Sequence, residues 1–381
     1  MKMNPSLWQL GMHFDPSGGG ADRCFDNLLR GLEANGRAFT AAAFDGESAD
    51  DENFRRISLG PSRSAIWKRR AALRRFGAEI SSAPPPKVLA SHFSLYAFFL
   101  LPFLQGTKHV VHFHGPWADE AAAAGAGKLT VFFKRHIERT VYARADRMIT
   151  LSQAFRLLLI ENFGIRPEKI SVVPGSVDTE KFRPTNDRDA LRRRLGWPTD
   201  RRIIFCVRRL VARMGLAELI DSFAKIAARL PDVDLHIGGR GKLGSDLRAR
   251  ASRLGLERRI VFCGFIPEDD LPDHYAASDL SIMPSQKLEG FGLAAVEALA
   301  CGIPVLVTPV GGLPEVVAGL GENLILDGTD PDAIARGLMR AFAAPGCLPS
   351  AGECRAFAEK NYSIREMARR SSDVYDHEAS R

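Results

Sequence analysis

The sequence lacks the features that staple a small fold or carry a chain through a membrane. Its 381 residues include six cysteines (Cys24, Cys206, Cys263, Cys301, Cys347 and Cys354), and no two form a Cys-x-x-Cys pair. That scatter argues against both a zinc site and a disulfide framework, so a reducing, cytoplasmic location is expected. Long apolar runs are also missing. The longest, residues 93–104 (FSLYAFFLLPFL), contains a proline and falls short of the roughly 20 residues needed to cross a bilayer, so it is read as a buried or interfacial segment. Residues 1–10 have no continuous apolar stretch and Asp15-Pro-Ser-Gly-Gly-Gly follows at once, which speaks against a secretory leader. No internal repeat appears, and the alanine-rich residues 121–126 and Pro84 to Pro86 read as surface connections.

What is present suits a soluble globular protein, with 45% hydrophobic and 25% charged residues. The length predicts two domains of roughly 180 residues each. A net charge of +7 raises the question of a polyanionic partner, whether nucleic acid, an acidic membrane or a phosphorylated ligand. Short apolar runs, each followed by a longer helical pattern, recur along the chain: Leu7 to His13, then KVLA from Lys87, HVVHFH from His109, RMITL from Arg147, ISVV from Ile170, RIIFCV from Arg202, DLHI from Asp234, IVFC from Ile260, LSIM from Leu280 and PVLV from Pro304. This alternation predicts an α/β fold with helix-covered parallel sheets. The pattern breaks into a polar stretch between about residues 182 and 202, and the domain boundary is expected there. The resulting division is a first domain at 1–183, a second at 184–355 and a helical tail at 356–381 that can pack back on the first domain.

In open α/β sheets, ligands sit beyond the carboxyl ends of strands, where loops and helix N-termini offer unpaired N–H groups. Gly18-Gly19-Gly20 occupies such a place, although it is neither G-x-G-x-x-G nor a P-loop, and a plain turn explains it equally well. His112 and His114 end a strand before Gly115-Pro116. His114 is taken as a site residue, and His112, one pleat deeper, as structural. Arg208, Arg209 and Arg213 share one strand-to-helix turn, where arginine forks suit a diphosphate better than a merely solvated loop would require. Glu289-Gly290-Phe291-Gly292 precedes a helix carrying Glu297. The two carboxylates can grip sugar or ribose hydroxyls, and a glycosidase-like acid/base pair is the less favoured alternative because nothing fixes their separation. Gly311-Gly312-Leu313-Pro314-Glu315 closes a further turn whose composition is common, and it is given no site role.

These residues together resemble the retaining glycosyltransferases of family 4 (glycosyl transferases group 1). The resemblance is strongest in ADRMITLSQAF, FGIRPEKISVVPGSVDTEKF, RRLVARMGL, FCGFIPEDDLPDHYAASDLSIMPS, EGFGLAAVEALACGIPVLVT and GGLPEVV. The spacing of Glu289 and Glu297 matches the family's two glutamates separated by seven residues. The resemblance implies the GT-B architecture of two facing Rossmann-like domains with an interdomain cleft. It also implies transfer of a hexose from a UDP- or GDP-sugar, with retention and without a bound metal or other cofactor, to a hydroxyl of a glycan or lipid-linked acceptor. By position, Gly19 and Gly20 would approach the donor diphosphate, His114 would lie beside the transferred sugar, and Glu289, with Gly290, Phe291 and Gly292 around it, would hold that sugar. Glu297 would hold the ribose, Arg209 would neutralise the leaving group, and the backbone near Phe265 and Ile266 would read the base. The family's lysine immediately before the glycine is Met214 here, so half the cationic clamp is missing, with Arg213 the nearest substitute and Lys242 the next. Ser176 likewise replaces a common glycine.

Three other readings compete. A nucleotide-sugar epimerase or a phosphorylase shares the fold but does not explain the paired glutamates. A basic polyanion-binding protein would want aromatic residues interleaved with the basic ones on an exposed face, whereas these arginines sit mostly at strand-end turns. A catalytically silent nucleotide-sugar-binding relative is the reading that Met214 suggests. Nucleic acid is not an expected partner. Residues 61–76 (PSRSAIWKRRAALRRF) carry Arg63, Lys68, Arg69, Arg70, Arg74 and Arg75 with no acid, and Ile66, Trp67, Leu73 and Phe76 recur at near-helical spacing. This is either a surface helix with an ordinary core face or a peripheral docking element for the anionic inner face of the cell membrane.

Overall fold

The computed structural model describes residues 6–15, 19–82, 84–343 and 346–381. The chain divides into two compact units, Met1–Ser176 with Ile364–Arg381, and Val177–Ser363.

The first unit is built on strands β1 (Leu7–His13), β2 (Phe39–Phe44), β3 (Ala49–Asp50), β4 (Phe54–Ser58), β5 (Val88–Ser91), β6 (Lys108–Phe113), β7 (Arg147–Thr150) and β8 (Ile170–Val172). They lie in the order β3-β4-β2-β1-β5-β6-β7-β8, parallel throughout except where β3 runs antiparallel to β4. The sequence reading passes over β2. Its residues, FTAAAF, have little intrinsic strand preference, but every one is buried, and burial on both faces is what admits alanine to a central parallel strand. One face of the sheet is covered by the helices Gly20–Ala34 and Ile364–Ala379, which pack Phe25, Leu28, Leu32, Met367 and Tyr375 into one core. Their backbones approach so closely that a Cβ on Gly31 would lie 2.3 Å from the Ile364 carbonyl oxygen. The other face is covered by Leu73, Phe76 and Ile80 of the helix Ile66–Ile80, together with Tyr96 and Leu100. Those last two belong to the apolar segment at 93–104, which folds as the helix Ser94–Leu100 and the turn Leu101–Phe103. No helix among the described residues is long and apolar enough to cross a membrane. Of the alanine-rich stretch read as a surface connection, Ala121 to Ala123 form the last turn of the helix Trp117–Ala123.

The second unit contains β9 (Arg202–Val207), β10 (Val233–Gly238), β11 (Ile260–Gly264), β12 (Leu280–Met283) and β13 (Val305–Val307). These form an all-parallel sheet in the order β11-β10-β9-β12-β13. In each sheet one strand has a chain-distant neighbour on one side, β1 beside β5 and β9 beside β12, and such a reversal opens a crevice at the strand carboxyl ends.

The structure moves the expected boundaries. The chain passes between units at Ser176–Val177 and Ser363–Ile364, not at 183/184 and 355/356. The polar stretch at the expected boundary belongs to the second unit, as a division beginning at 184 has it, because it is pinned there. Asp187 caps the helix Arg188–Leu195, and the buried Arg192 donates to the carbonyls of Ala277 and Arg201 and to Asp279. Val177 bonds to the Tyr362 carbonyl and bridges Ser363, so the two crossing segments are paired. The tail is correspondingly split. The helix Ala351–Tyr362 belongs to the second unit, where Arg355 donates to the carbonyls of Thr179, Phe182 and Ala300, and the helix Ile364–Ala379 belongs to the first. All six cysteines are free thiols. Burial pushes Cys24, Cys206 and Cys354 up to about 12, which leaves them unreactive near neutrality.

Candidate functional site

In the second unit the unusual residues gather where β9 and β12 end. Arg208 follows β9 and Ser285 follows β12. Both donate to the same oxygen of Glu289, Oε2, with the Ser285 hydroxyl at 2.9 Å and the Arg208 guanidinium in a close ion pair. The side chains of Arg208 and Glu289 are 8% and 13% exposed, so removing either partner would strand a shielded charge, at a cost well above that of breaking a surface bridge. The Nε of Arg208 is buried and makes no hydrogen bond among the described residues. The loop carrying Glu289 is strained: Leu288 has φ +57°, unfavourable for a branched residue, and its carbonyl accepts from Arg213 at 3.0 Å. Gly311 lies against this loop, where a Cβ would come within 1.8 Å of the Glu289 carbonyl oxygen, and the Gly312 N–H donates to that oxygen at 3.0 Å. The GGLPE turn therefore braces the Glu289 backbone, a part the sequence reading did not give it.

The three arginines do different things. Arg208, which the sequence reading treats as one of three clamp residues, holds the carboxylate. Arg213 holds the Leu288 carbonyl, and Arg209 is exposed. Met214 is buried at 5% exposure in the turn Ala212–Met214, filling the place of the family's lysine with apolar packing. Gly215 follows with φ +72°, where a Cβ would be 1.7 Å from the Pro284 carbonyl oxygen, so only glycine lets β9's turn reach β12's. Lys242 is exposed.

Gly292 opens the helix Leu293–Ala300, and Glu297 lies inside that helix at 5% exposure, accepting a hydrogen bond at 3.0 Å from the Tyr275 hydroxyl. The Phe291 side chain is buried with its ring set edge-on to Tyr362 at 5.5 Å, so a donor-binding part for this residue falls to its backbone. At the end of β11, Phe265 is 54% exposed and the Arg240 guanidinium stacks over its ring at 4.3 Å. Arg240 was not singled out by the sequence; an arginine directly after the Gly238-Gly239 strand end was the available signal. Ile266 packs its Cδ1 toward Gly238, where a Cβ would meet it at 2.6 Å.

In the first unit, β1 precedes the three glycines in the chain. Gly18 lies outside the described residues; Gly19, at φ +152°, precedes the helix Gly20–Ala34, whose first turn carries the buried Asp22. Desolvation holds the Asp22 carboxyl above its usual range, opposed by His13, whose Nδ1 is 3.3 Å away. At the ends of β5 and β6, His92, His112 and His114 stand together. His112 bonds the Tyr375 hydroxyl at 2.7 Å, a structural role, and His114 bonds His92 at 3.1 Å. Burial pushes His114 down to about 4, and His92 and His112 well below the ordinary histidine value, so all three are neutral at pH 7. The partner His92 was missed by the sequence reading.

Residues 66–76 of the basic segment form most of the helix Ile66–Ile80, with Arg63 before it, and the apolar side is divided. Leu73 and Phe76 enter the core, while Ile66 and Trp67 are 50% and 66% exposed. Arg63, Lys68, Arg70, Arg74 and Arg75 are exposed, and the half-buried Arg69 lies near the Tyr96 hydroxyl. A second exposed apolar patch, Leu129, Phe132 and Phe133 on the helix Lys128–Arg144, was not anticipated.

Comparison with known proteins fits this geometry. Residues 18–181 match the family model described as Glycosyltransferase Family 4, and residues 187–363 match the model described as Glycosyl transferases group 1. Mannosylfructose-phosphate synthase of Agrobacterium fabrum is 31% identical over 61% of this chain and 55% of its own. A GDP-mannose-dependent alpha-(1-6)-phosphatidylinositol monomannoside mannosyltransferase of Mycolicibacterium smegmatis is 35% identical over 60% of this chain and 62% of its own. The chain thus spans between about half and two thirds of these relatives' lengths. Among solved structures, Anabaena Alr3699/HepE in complex with UDP and glucose shares the fold, with a TM-score of 0.76 at 20% identity, covering 98% of this chain and 100% of that one. With two family models that between them take in most of both units, the chain belongs to glycosyltransferase family 4.

Proposed function

We propose that the protein is a retaining, metal-independent hexosyltransferase that moves a sugar from a UDP- or GDP-sugar to a hydroxyl of a glycan or lipid-linked acceptor in polysaccharide or glycoconjugate biosynthesis. The observation that carries this reading is Glu289, anchored through one oxygen by Arg208 and Ser285 in a chain of this family. A carboxylate held that way is a preorganised acceptor for hydroxyls of an uncharged sugar. Arg209, exposed at the same turn, and Arg213 would meet the diphosphate, with the amides of Gly19 and Gly20. Glu297 would share its carboxylate between Tyr275 and the ribose. The base would lie against the backbone near Phe265 and Ile266, and His114 would contact the transferred sugar. In the step itself, the bond between the anomeric carbon and the phosphate oxygen breaks, the acceptor oxygen bonds that carbon on the same face, and the acceptor's proton passes to the leaving phosphate. The protein's work is to position the groups and stabilise charge on the departing diphosphate. The names of the relatives point to both nucleotides, GDP-mannose in one and UDP in the other.

The test is a thermal-shift screen of the protein against UDP-, GDP- and ADP-sugars with chelator present. A ligand at 100 times its dissociation constant stabilises by about 2.7 kcal/mol. Stabilisation by one nucleotide sugar, followed by NMR of the transfer product showing the donor's anomeric configuration, supports the reading. Stabilisation without any transfer would identify a silent binding relative, and no stabilisation by any of the three overturns the proposal.

The first unit carries the material for reversible docking on anionic lipid. Trp67 stands exposed beside Lys68, whose ammonium lies 5.3 Å from the ring, among five further basic side chains. Each basic residue near such a surface contributes about 1 kcal/mol, and a tryptophan settles at headgroup depth. Co-sedimentation with liposomes of rising anionic content should show charge-dependent, salt-sensitive binding that is lost when Lys68, Arg69, Arg70, Arg74 and Arg75 become Gln. Binding indifferent to lipid charge and to these substitutions would move the acceptor toward a soluble molecule.

A further inference from the structure

The histidines at the ends of β5 and β6 form a connected chain whose direction can be worked out. Gln9 of β1 is fully buried, and its Oε1 lies 3.1 Å from His92 Nε2. His92 Nδ1 in turn lies 3.1 Å from His114 Nε2. The His92 and His114 ring centroids are 5.3 Å apart with planes 21° from parallel, the span of two imidazoles meeting edge to edge through one hydrogen bond. His112 is placed differently. Its ring lies 4.1 Å from that of His92 and 19° from parallel, face to face, with Nε2 engaged by Tyr375. The three rings bring ring nitrogens within 4.8 Å of one another. A metal, however, must lie along each nitrogen's in-plane lone pair, and the lone pairs of two face-to-face rings run side by side without converging. The arrangement is a hydrogen-bond relay.

Gln9 turns its amide oxygen toward His92 and its nitrogen toward the side of Tyr375, and an amide oxygen can only accept, so in this orientation His92 Nε2 carries the proton. His92 is neutral in its buried setting, which leaves Nδ1 bare, and a bare Nδ1 requires His114 Nε2 to be the donor. His114 then presents an unprotonated Nδ1, and that atom is buried with no hydrogen-bond partner among the described residues. We infer that Gln9 and His92 are positioning residues that lock His114 in its Nε2–H tautomer, so that Nδ1 accepts a hydrogen bond from a hydroxyl of the transferred sugar. This rests on the sugar-facing role of His114 proposed above and adds its polarity: the site takes a donor at that point and rejects a group that cannot donate.

The experiment uses the full chain labelled with 15N-histidine, observed by NMR at pH 7.5, together with calorimetric titration of UDP-glucose, GDP-mannose, UDP and GDP. His114 should show a protonated Nε2 and a bare Nδ1 without any ligand. His92→Leu and Gln9→Leu should lose that preference and weaken the nucleotide sugar that binds by about tenfold, leaving the free nucleotide unaffected, because one hydrogen bond to the sugar is lost. His92→Asn, whose Oδ1 takes the place of Nδ1 and can still accept from His114 Nε2–H, should restore both. Monofluoro sugar donors should reproduce the loss at one ring position only. A bare Nε2 in the unmodified protein, or a His92→Leu variant that keeps tautomer and affinity while His114→Ala loses affinity, overturns the relay. A His114→Ala variant of unchanged affinity overturns the sugar-facing role of His114, and the purpose of the relay with it.

Discussion

The two units meet the same problem, polar side chains buried along their strands, with different emphasis. The first relies mainly on neutrality: His92, His109 and His112 are buried and His114 half-buried without a charged form, linked to Gln9, Ser91, Tyr375 and one another, beside one buried ion pair, Arg147 with Glu378. The second uses charge, pairing Arg208 with Glu289, Arg192 with Asp279, and Arg201 and Arg259 with Asp234. Desolvation costs a lone ion several kcal/mol, so a buried group must lose its charge or find a partner. A neutral surface suits hydroxyls, whereas paired charges flanked by further arginines such as the exposed Arg209 suit an anion.

Acid should break the comparison most sharply. A histidine whose folded value is depressed contributes stability that is present above its unfolded value of 6.5 and is lost as pH falls toward the folded value. His109 and His114, both pushed down to about 4, should together cost about 4 kcal/mol between pH 6.5 and 5, with His92 and His112 adding in the same direction. In the second unit His236 alone has such a shift among the described residues, worth about 2 kcal/mol over the same range. Trp8 lies in the first core and Trp197 in the second, so denaturant unfolding of single-tryptophan variants at pH 7 and 5 compares them. Equal losses would remove the distinction.

Next in size is the ion pair. Arg208→Ala should destabilise the second unit by about 3 kcal/mol, because it strands the Glu289 carboxylate. Arg208→Met with Glu289→Leu should recover most of that stability without recovering sugar transfer. Stability read by Trp197 and turnover read separately distinguish the two effects. If Arg208→Ala leaves both unchanged, the pair is not what holds the loop.

Glu138 sharpens the comparison within the first unit, since its sign is opposite to that of the histidines. Burial raises its carboxyl to about 7, against hydrogen bonds from the Trp117 and Ala118 N–H groups. An acid raised in the folded state contributes stability that is present below its unfolded value of 4.5 and is lost as pH rises through 7. Glu138→Gln should therefore flatten a decline on the order of 2 kcal/mol between pH 5 and 7.5, visible as a Tm difference that grows with pH. The smallest expected effect is at Phe265. Phe265→Ala should weaken free nucleotide by about 1 kcal/mol, the worth of a modest stacking contact, with no change in folding.

Much of the site was legible because its residues follow strands directly. The apolar runs of β9 and β12 announce where loops begin, so Arg208, Arg209, Arg213, Glu289 and Glu297 could be named in advance. Their division of labour could not. Two adjacent arginines look alike in sequence, yet one turns inward to Glu289 and the other outward to solvent. His92 follows its strand as His114 does, but its value lies in its distance from Gln9, 83 residues away. Burial within the polar stretch before Arg202 was hidden for a similar reason. Charged composition suggests a solvated linker, while Arg192 is buried because Asp279 and two carbonyls converge on it.

By itself the sequence determined the class of fold, two α/β units, and the family, because strand-helix alternation and the seven-residue spacing between Glu289 and Glu297 are local patterns that survive without coordinates. Tertiary structure alone decided where the chain changes units, which arginine is buried, and which histidine nitrogen is left bare. Those properties depend on burial and on partners distant in the chain, and a group's charge and hydrogen-bonding sense are set by what surrounds it in space.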